Sequence, residues 1–352
     1  MRSRSEVRFL QSLKCGVPRG WSPSIRSMTL MAESMVSVVI PCYNSGPWVG
    51  ECIQSALDQT WSNTEIIMID DGSTDDSREV IASFGDRVRH EFGPNRGGAA
   101  ARNRGLALSE GDWVQFLDAD DLLMPDCIER KLGMAAKSPE GVVPCCKIEF
   151  LPYESRHGEN PGPACWSFEE HDLDTILGFG APQTSAPLHR RHHLVAVGGF
   201  RESLRQAQDF DLHLRLAVKH GLLFRSNGEV GVRIRPHHGS VSRSAGWRMH
   251  AAIADTLLHS AEILHEEGKL TNARRMAIAR RASLSAKKTA REGAVGEGTA
   301  LAERARHLSP EWYGTAYPNP VGALLVRVLG FGGFERMRAS AARHLSFRRD
   351  GR

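Results

Sequence analysis

Three carboxylates crowd into four residues at Asp118-Ala119-Asp120-Asp121, directly after the apolar run Trp113–Leu117. They would repel one another unless a cation or ordered donors compensated. Hard oxygen ligands at this density suit Mg²⁺ or Mn²⁺, which commonly take one or two carboxylates plus substrate phosphates. The plainer reading is a solvated acidic turn that caps the next helix. Asp70-Asp71-Gly72-Ser73 is a second acidic turn. It reads as an Asx turn, or as a carboxylate that accepts hydrogen bonds from a nucleobase edge. Pro41-Cys42-Tyr43-Asn44 offers an aromatic that either packs or stacks on that base. Asn95-Arg96-Gly97-Gly98-Ala99 opens a helix whose free N–H groups suit an anion. It is neither G-x-G-x-x-G nor a Walker A sequence. Gln208-Asp209-Phe210-Asp211 also opens a helix. Its acids complement the dipole, or Asp209 serves as a general base toward a hydroxyl nucleophile. His237-His238-Gly239-Ser240 reads as a surface loop, with a metal ligand or phosphate donor as the sharper alternative.

These clusters need elements to hold them. Val36–Ile40, Glu65–Ile69, Val88–Phe92 and Trp113–Leu117 read as strands, with helices expected at 48–59, 77–84 and 97–109. Strands alternating with helices imply βαβ units around a parallel sheet, which binds ligands beyond its carboxyl edge. The first three clusters fall on that edge. Residues 150–185 read as loops around an acceptor cleft. A helix is predicted at 209–220 and an edge strand at 222–227. The Ala-, Arg- and Leu-rich stretch 247–307 reads as two to four helices.

Composition bounds the remaining options. At 352 residues, 41% apolar and 24% charged, the chain reads as an ordinary globular protein with no membrane span. Its net charge of +4 hides basic ends: +4 in residues 1–35, +5 in 317–352, and so −5 between them. That distribution does not suit a nucleic-acid binder. Seven cysteines without a C-x-x-C read as buried free thiols in a reducing compartment. The basic N-terminus is not patterned as a signal peptide, and Met31 or Met35 is a candidate start.

In order and spacing, Val-Ser-Val-Val-Ile-Pro-Cys-Tyr-Asn (36–44), Ile-Asp-Asp-Gly-Ser (69–73), Gly-Ala-Ala-Ala-Arg-Asn (98–103) and Phe-Leu-Asp-Ala-Asp-Asp (116–121) resemble the inverting GT-A nucleotide-sugar glycosyltransferases of family 2. Gly-Gly-Phe (198–200) and Gln-Asp-Phe-Asp-Leu (208–212) continue the resemblance, which spans roughly residues 36–245. It implies an α/β GT-A fold, a Rossmann-like, mostly parallel sheet flanked by helices, followed by a small helical domain. The expected divisions are a disordered basic extension (1–34), a catalytic domain (35–245, donor half 35–130, acceptor half 131–245), a helical domain (246–310) and a basic amphipathic tail (311–352).

The resemblance also assigns roles. Pro41, Tyr43, Asn44, Asp71, Gly98, Arg102, Asp118, Ala119 and Asp120 would bind the nucleotide sugar, with Asp71 on the pyrimidine imide of a UDP-sugar. Asp120, Asp118 and His237 would hold Mn²⁺ or Mg²⁺. Asp209 would be the base, although its usual Glu neighbour is Gln208 here. The implied partners are a nucleotide-sugar donor and a glycan or lipid-linked acceptor in polysaccharide synthesis, with a cytoplasmic location. An inactive scaffold acting as a regulatory subunit is the alternative. A haloacid-dehalogenase phosphatase also places D-x-D after a strand, but Leu122 and the fourth-strand position argue against it. Leu324, Leu325, Val328, Leu329, Phe331 and Phe334 interleave with arginines, so the tail either packs as a helix on the catalytic domain or lies on an anionic membrane at its inner face.

Overall fold

The computed structural model describes residues 34–152, 165–237, 246–310 and 320–347. The basic extension before residue 34, residues 238–240 and the arginines after 347 lie outside the described residues. Two compact units emerge, one of residues 34–173 and 181–237, the other of 174–180 and 246–347.

The first unit begins with β1 (Val36–Cys42), α1 (Gly46–Leu57), β2 (Thr64–Asp71), α2 (Ser77–Ser83), β3 (Arg89–Gly93), α3 (Gly98–Leu108) and β4 (Trp113–Phe116). The sheet order is β3-β2-β1-β4, all parallel, closed by an antiparallel β9 (Leu188–Arg190) beside β4. Val36, Val38, Val39 and Ile40 are fully buried, as expected of a central parallel strand covered on both faces. α1 lays Val49, Cys52, Ile53 and Ala56 against that sheet at helical spacing. Register pairs Cys42 with Asp70 and Asp71 with Gly93, while the Leu117 N–H bonds the Val39 carbonyl. The segments Tyr43–Asn44, Gly72–Ser73 and Asp118–Asp121 therefore leave one edge together.

A second sheet follows, formed from β5 (Leu122–Leu123), β6 (Val142–Phe150), β7 (Cys165–Trp166), β8 (Glu170–His171) and β10 (Leu223–Ile234). Its centre differs from the expectation. Residues 142–150 form a nine-residue strand, and the predicted edge strand at 222–227 is a twelve-residue strand lying between β5 and β6. The pattern hides β10 because Arg225, Glu229 and Arg233 interrupt it and the register with β6 shifts between Ser226 and Val232. Gly231 is a packing requirement there: a Cβ would lie 2.5 Å from Cys146 Cβ and 2.8 Å from Cys127 Sγ. α4 (Cys127–Ala136) packs on β6, and α5 (Gln208–His220) completes the unit. Cys42, Cys52, Cys127, Cys145 and Cys146 are buried free thiols, whereas Cys165 is exposed.

The second unit is helical. α6 (Trp247–Glu266), α7 (Asn272–Arg291) and α8 (Val295–Leu308) pack on one another, within the predicted number of helices. α9 (Pro320–Phe347) packs on α8 and α7 and breaks at Gly330, whose φ is 68°. The tail helix thus packs, through Val326, Phe331 and Phe334, on the helical unit. Among the described residues no helix is long and apolar enough to cross a membrane.

Candidate active site

Arg102, on the second turn of α3, is the hub of the site. One Nη donates to Asp118 Oδ1 at 2.5 Å, and the other donates to Gln208 Oε1 at 2.8 Å. Its guanidinium also lies 5.4 Å from the centre of the Phe200 ring. One side chain thus ties the acidic loop after β4 to the start of α5. Gly98 leaves room for it, because a Cβ there would sit 3.0 Å from Arg102 Nη1 and 3.7 Å from Gln208 Oε1. Gln208 therefore answers Arg102 as a neutral acceptor. Its Nε2 is spent on the Leu204 carbonyl.

Asp209 follows Gln208 on the first turn of α5. Ala207, just before them, holds a left-handed backbone with φ 54°. That conformation costs an alanine about 1 kcal/mol and is the kind of strain that concentrates at functional sites. Asp209 Oδ1 accepts the Phe210 N–H at 2.8 Å. Desolvation raises the Asp209 carboxyl above the usual carboxylate range. The Phe210 amide and the Arg102 charge oppose that rise, and Asp118 adds to it. Asp211, two residues on, is a buried structural acid bonded by Arg201 and Arg215.

At the other side of the loop, Asp120 Oδ2 lies 2.7 Å from His237 Nε2. His237 is set by a strap onto α1. Its ring stands 4.1 Å from that of Trp48, Arg235 pairs with Glu51 at 2.7 Å, and the Arg235 N–H reaches Asp121 Oδ1 at 3.2 Å. Burial first, then the Asp118 charge, pushes the Asp120 carboxyl up, against the His237 hydrogen bond. Asp121 is buried, burial and its two acidic neighbours push its carboxyl up, and it holds the strap by accepting the Arg235 N–H. Among the described residues no group of three or more His, Cys, Asp or Glu is gathered to hold an ion. Asp118 turns to Arg102, leaving Asp120 and His237 as a carboxylate–imidazole pair. That pair fits Mn²⁺ or Mg²⁺ if substrate oxygens and water complete the shell. The Ala119 methyl is buried in the core, so its side chain does not face the site.

The nucleotide-side residues divide. Tyr43 presents a half-exposed ring beyond β1. Asn44 is structural: in a left-handed conformation with φ 50°, it accepts the Thr74 N–H at Oδ1 (2.8 Å), and its own N–H goes to Ser73 Oγ (2.9 Å). Asp71 Oδ1 and Oδ2 each accept a backbone N–H, from Arg96 and Gly97, at 2.7 Å. The carboxylate thereby shapes the turn into α3. A cleft of about 190 Å³ opens beside it, lined by Asp71, Phe92, Pro94, Arg96 and Ala100 among others. Tyr43 is not on that lining. Pro41 is half-buried and still paired within β1. Sequence reasoning missed Trp48, Phe200 and the Arg235–Glu51 strap. Only the Gly-Gly-Phe motif signalled any of them.

The chain is similar to known proteins in sequence and in fold. Residues 37–193 match the family described as glycosyl transferase family 2. A glycosyltransferase of Rickettsia typhi is 29% identical over 218 residues, 60% of this chain and 67% of that one. Several other curated glycosyltransferases are matched over about 34–43% of their own length. Among solved structures, Staphylococcus aureus TarS residues 1–349 in complex with UDP-GlcNAc superposes with a TM-score of 0.53 at 18% identity, over 79% of this chain and 89% of that one. A mannosyltransferase from Pyrobaculum calidifontis in complex with GDP-Man and Mn²⁺ gives a TM-score of 0.50 at 17% identity, over 92% and 93% of the two chains.

Proposed function

We propose that the chain, which resembles glycosyl transferase family 2 over residues 37–193, is a glycosyltransferase that inverts configuration while moving a sugar from a nucleotide sugar, preferentially a UDP-sugar, to a hydroxyl of a glycan or lipid-linked acceptor in polysaccharide synthesis. The observation that carries the reading is the Asp118–Arg102–Gln208 bridge, which couples the acidic loop to the helix turn bearing Asp209.

In this reading Asp209 takes the proton from the acceptor hydroxyl. Its raised affinity for a proton suits that task, because a base is most useful when its pKa approaches the working pH. The freed oxygen attacks the anomeric carbon from the face opposite the diphosphate, so one displacement inverts the centre. Arg102 holds Asp118 and keeps positive charge beside Asp209. Tyr43 offers a face for the base, and the oxygens of Asp71 retain lone pairs for a pyrimidine imide. Asp120 and His237 would hold a divalent cation, which would neutralise charge on the leaving diphosphate. The donors named for the structural neighbours, UDP-GlcNAc and GDP-Man, support the nucleotide-sugar class. The neighbour solved with Mn²⁺ supports the metal.

Asp209→Asn tests the base. We expect donor affinity within about twofold of wild type and turnover reduced by at least about 10²-fold, the usual range for losing a general base. Turnover close to wild type would remove Asp209 from the reaction.

A further inference from the structure

The helical unit exposes two stripes that sugar transfer does not use. α7 is NARRMAIARRASLSAKKTAR, with Arg or Lys at seven positions and no acidic residue. Arg280, Leu284, Lys288 and Arg291 are exposed, and Lys287 is half-buried. Their spacing of three and four residues sets all five on one face of the helix. α9 supplies the second stripe. Before the Gly330 break, Val326 is buried, while Leu324 (60%), Val328 (71%) and Leu329 (44%) are exposed. Leu325 is half-buried between them. The exposed side chains described in this helical half are therefore aliphatic.

α7 and the half of α9 after the break meet at Glu335. This carboxylate is 2% exposed and lies 3.6 Å from Arg291 and 3.2 Å from Arg338. Lys287 is close enough for its ammonium pKa to be lowered, by burial first and then by Arg291 and Arg338 against Glu335. Arg291, Arg338 and Lys287 thus gather around this carboxylate. Arg280 and Lys288 extend the positive charge along α7.

A helical unit that exposes both an aliphatic stripe and a basic stripe offers what an anionic bilayer rewards on both counts. We propose that these two stripes of the helical unit dock on a bilayer containing anionic phospholipid. The α9 side chains Leu324, Val328 and Leu329 enter the acyl boundary, and the α7 cations lie against the phosphates. Charge selects this occupant. A second copy of the chain would bring the same basic stripe against itself, and like charges across a symmetric contact repel.

The test uses the full chain in sedimentation with extruded vesicles, either phosphatidylcholine alone or with about 30 mol% phosphatidylglycerol. Wild type should pellet with the anionic vesicles and stay in solution with the neutral ones. Leu324→Ser/Val328→Ser and Arg280→Gln/Lys288→Gln should each lower the partition coefficient about tenfold. Both pairs are exposed, so the melting curves of the variants should overlay wild type. Equal binding to both vesicle types overturns the proposal, as does unchanged binding by both variants. Sedimentation velocity without lipid supplies a third readout. Self-association that disappears in Leu324→Ser/Val328→Ser, with no vesicle binding by wild type, would assign the face to a second copy and overturn the bilayer.

Discussion

Exchanging Gln208 for glutamate would set a second carboxylate on Arg102 and place a new negative charge beside Asp209. The exchange is nearly isosteric, and Arg102 Nη1 already stands 2.8 Å from the atom that would become charged. At about 7 Å from Asp209, a typical separation for neighbouring side chains, a unit charge contributes roughly 2 kcal/mol at an effective dielectric of about 20, or about 1.5 pH units. Arg102 would cancel part of that field, which leaves an upward shift of about one unit. A negative neighbour favours the protonated acid, so the shift adds to the rise that burial already imposes on Asp209. The assay is kcat/KM against pH with saturating Mn²⁺. The acid limb of Gln208→Glu should lie about one pH unit above that of wild type, with a somewhat lower melting temperature because the Leu204 carbonyl loses the Nε2 donor. An acid limb that stays put or moves to lower pH would refute the claim that Gln208 tunes the base through Arg102.

Asp209 also bears on stability. The folded chain holds its proton more tightly than the unfolded chain does, so stability falls as pH rises through the raised pKa. Asp209→Asn removes that cost. Calorimetry should find the variant melting higher than wild type at neutral pH, with the gain gone below about pH 4. A gain that grew toward acid pH would contradict the direction of the shift. Gly231→Ala should cost about 1–3 kcal/mol in urea unfolding, because the added methyl meets Cys146 and Cys127. Unchanged stability would contradict the packing of β10 on α4 and β6.

The first sheet was legible because its signals are local. The β-branched run at Val36–Ile40 is buried on both faces, and the motifs after β1, β2 and β4 sit where a parallel sheet ends. The second sheet was not. β10 carries its apolar residues through a bulge, and its pairing with β6 joins residues about 80 positions apart. No short-range pattern reports such a pairing. In the candidate site, Asp118, Asp120 and Asp209 stand out in the sequence, but the partners they take do not. That Asp118 answers Arg102, and that Asp120 answers His237, depends on the fold bringing residues 102, 118, 208 and 237 together. The left-handed Ala207 was invisible, since alanine gives no cue for that backbone. Gln208 looked like a lost charge in the sequence and proves to be a neutral partner for Arg102.

The central claim is a nucleotide-diphosphate site completed by a divalent cation on Asp120 and His237. Isothermal titration with UDP, GDP and dTDP, each in Mn²⁺ and in EDTA, tests it most directly. UDP should bind best, with affinity at least about tenfold weaker in EDTA, and Asp120→Ala and His237→Ala should each abolish that difference. Absence of binding by every nucleotide, or equal affinity with and without the metal, would contradict the account.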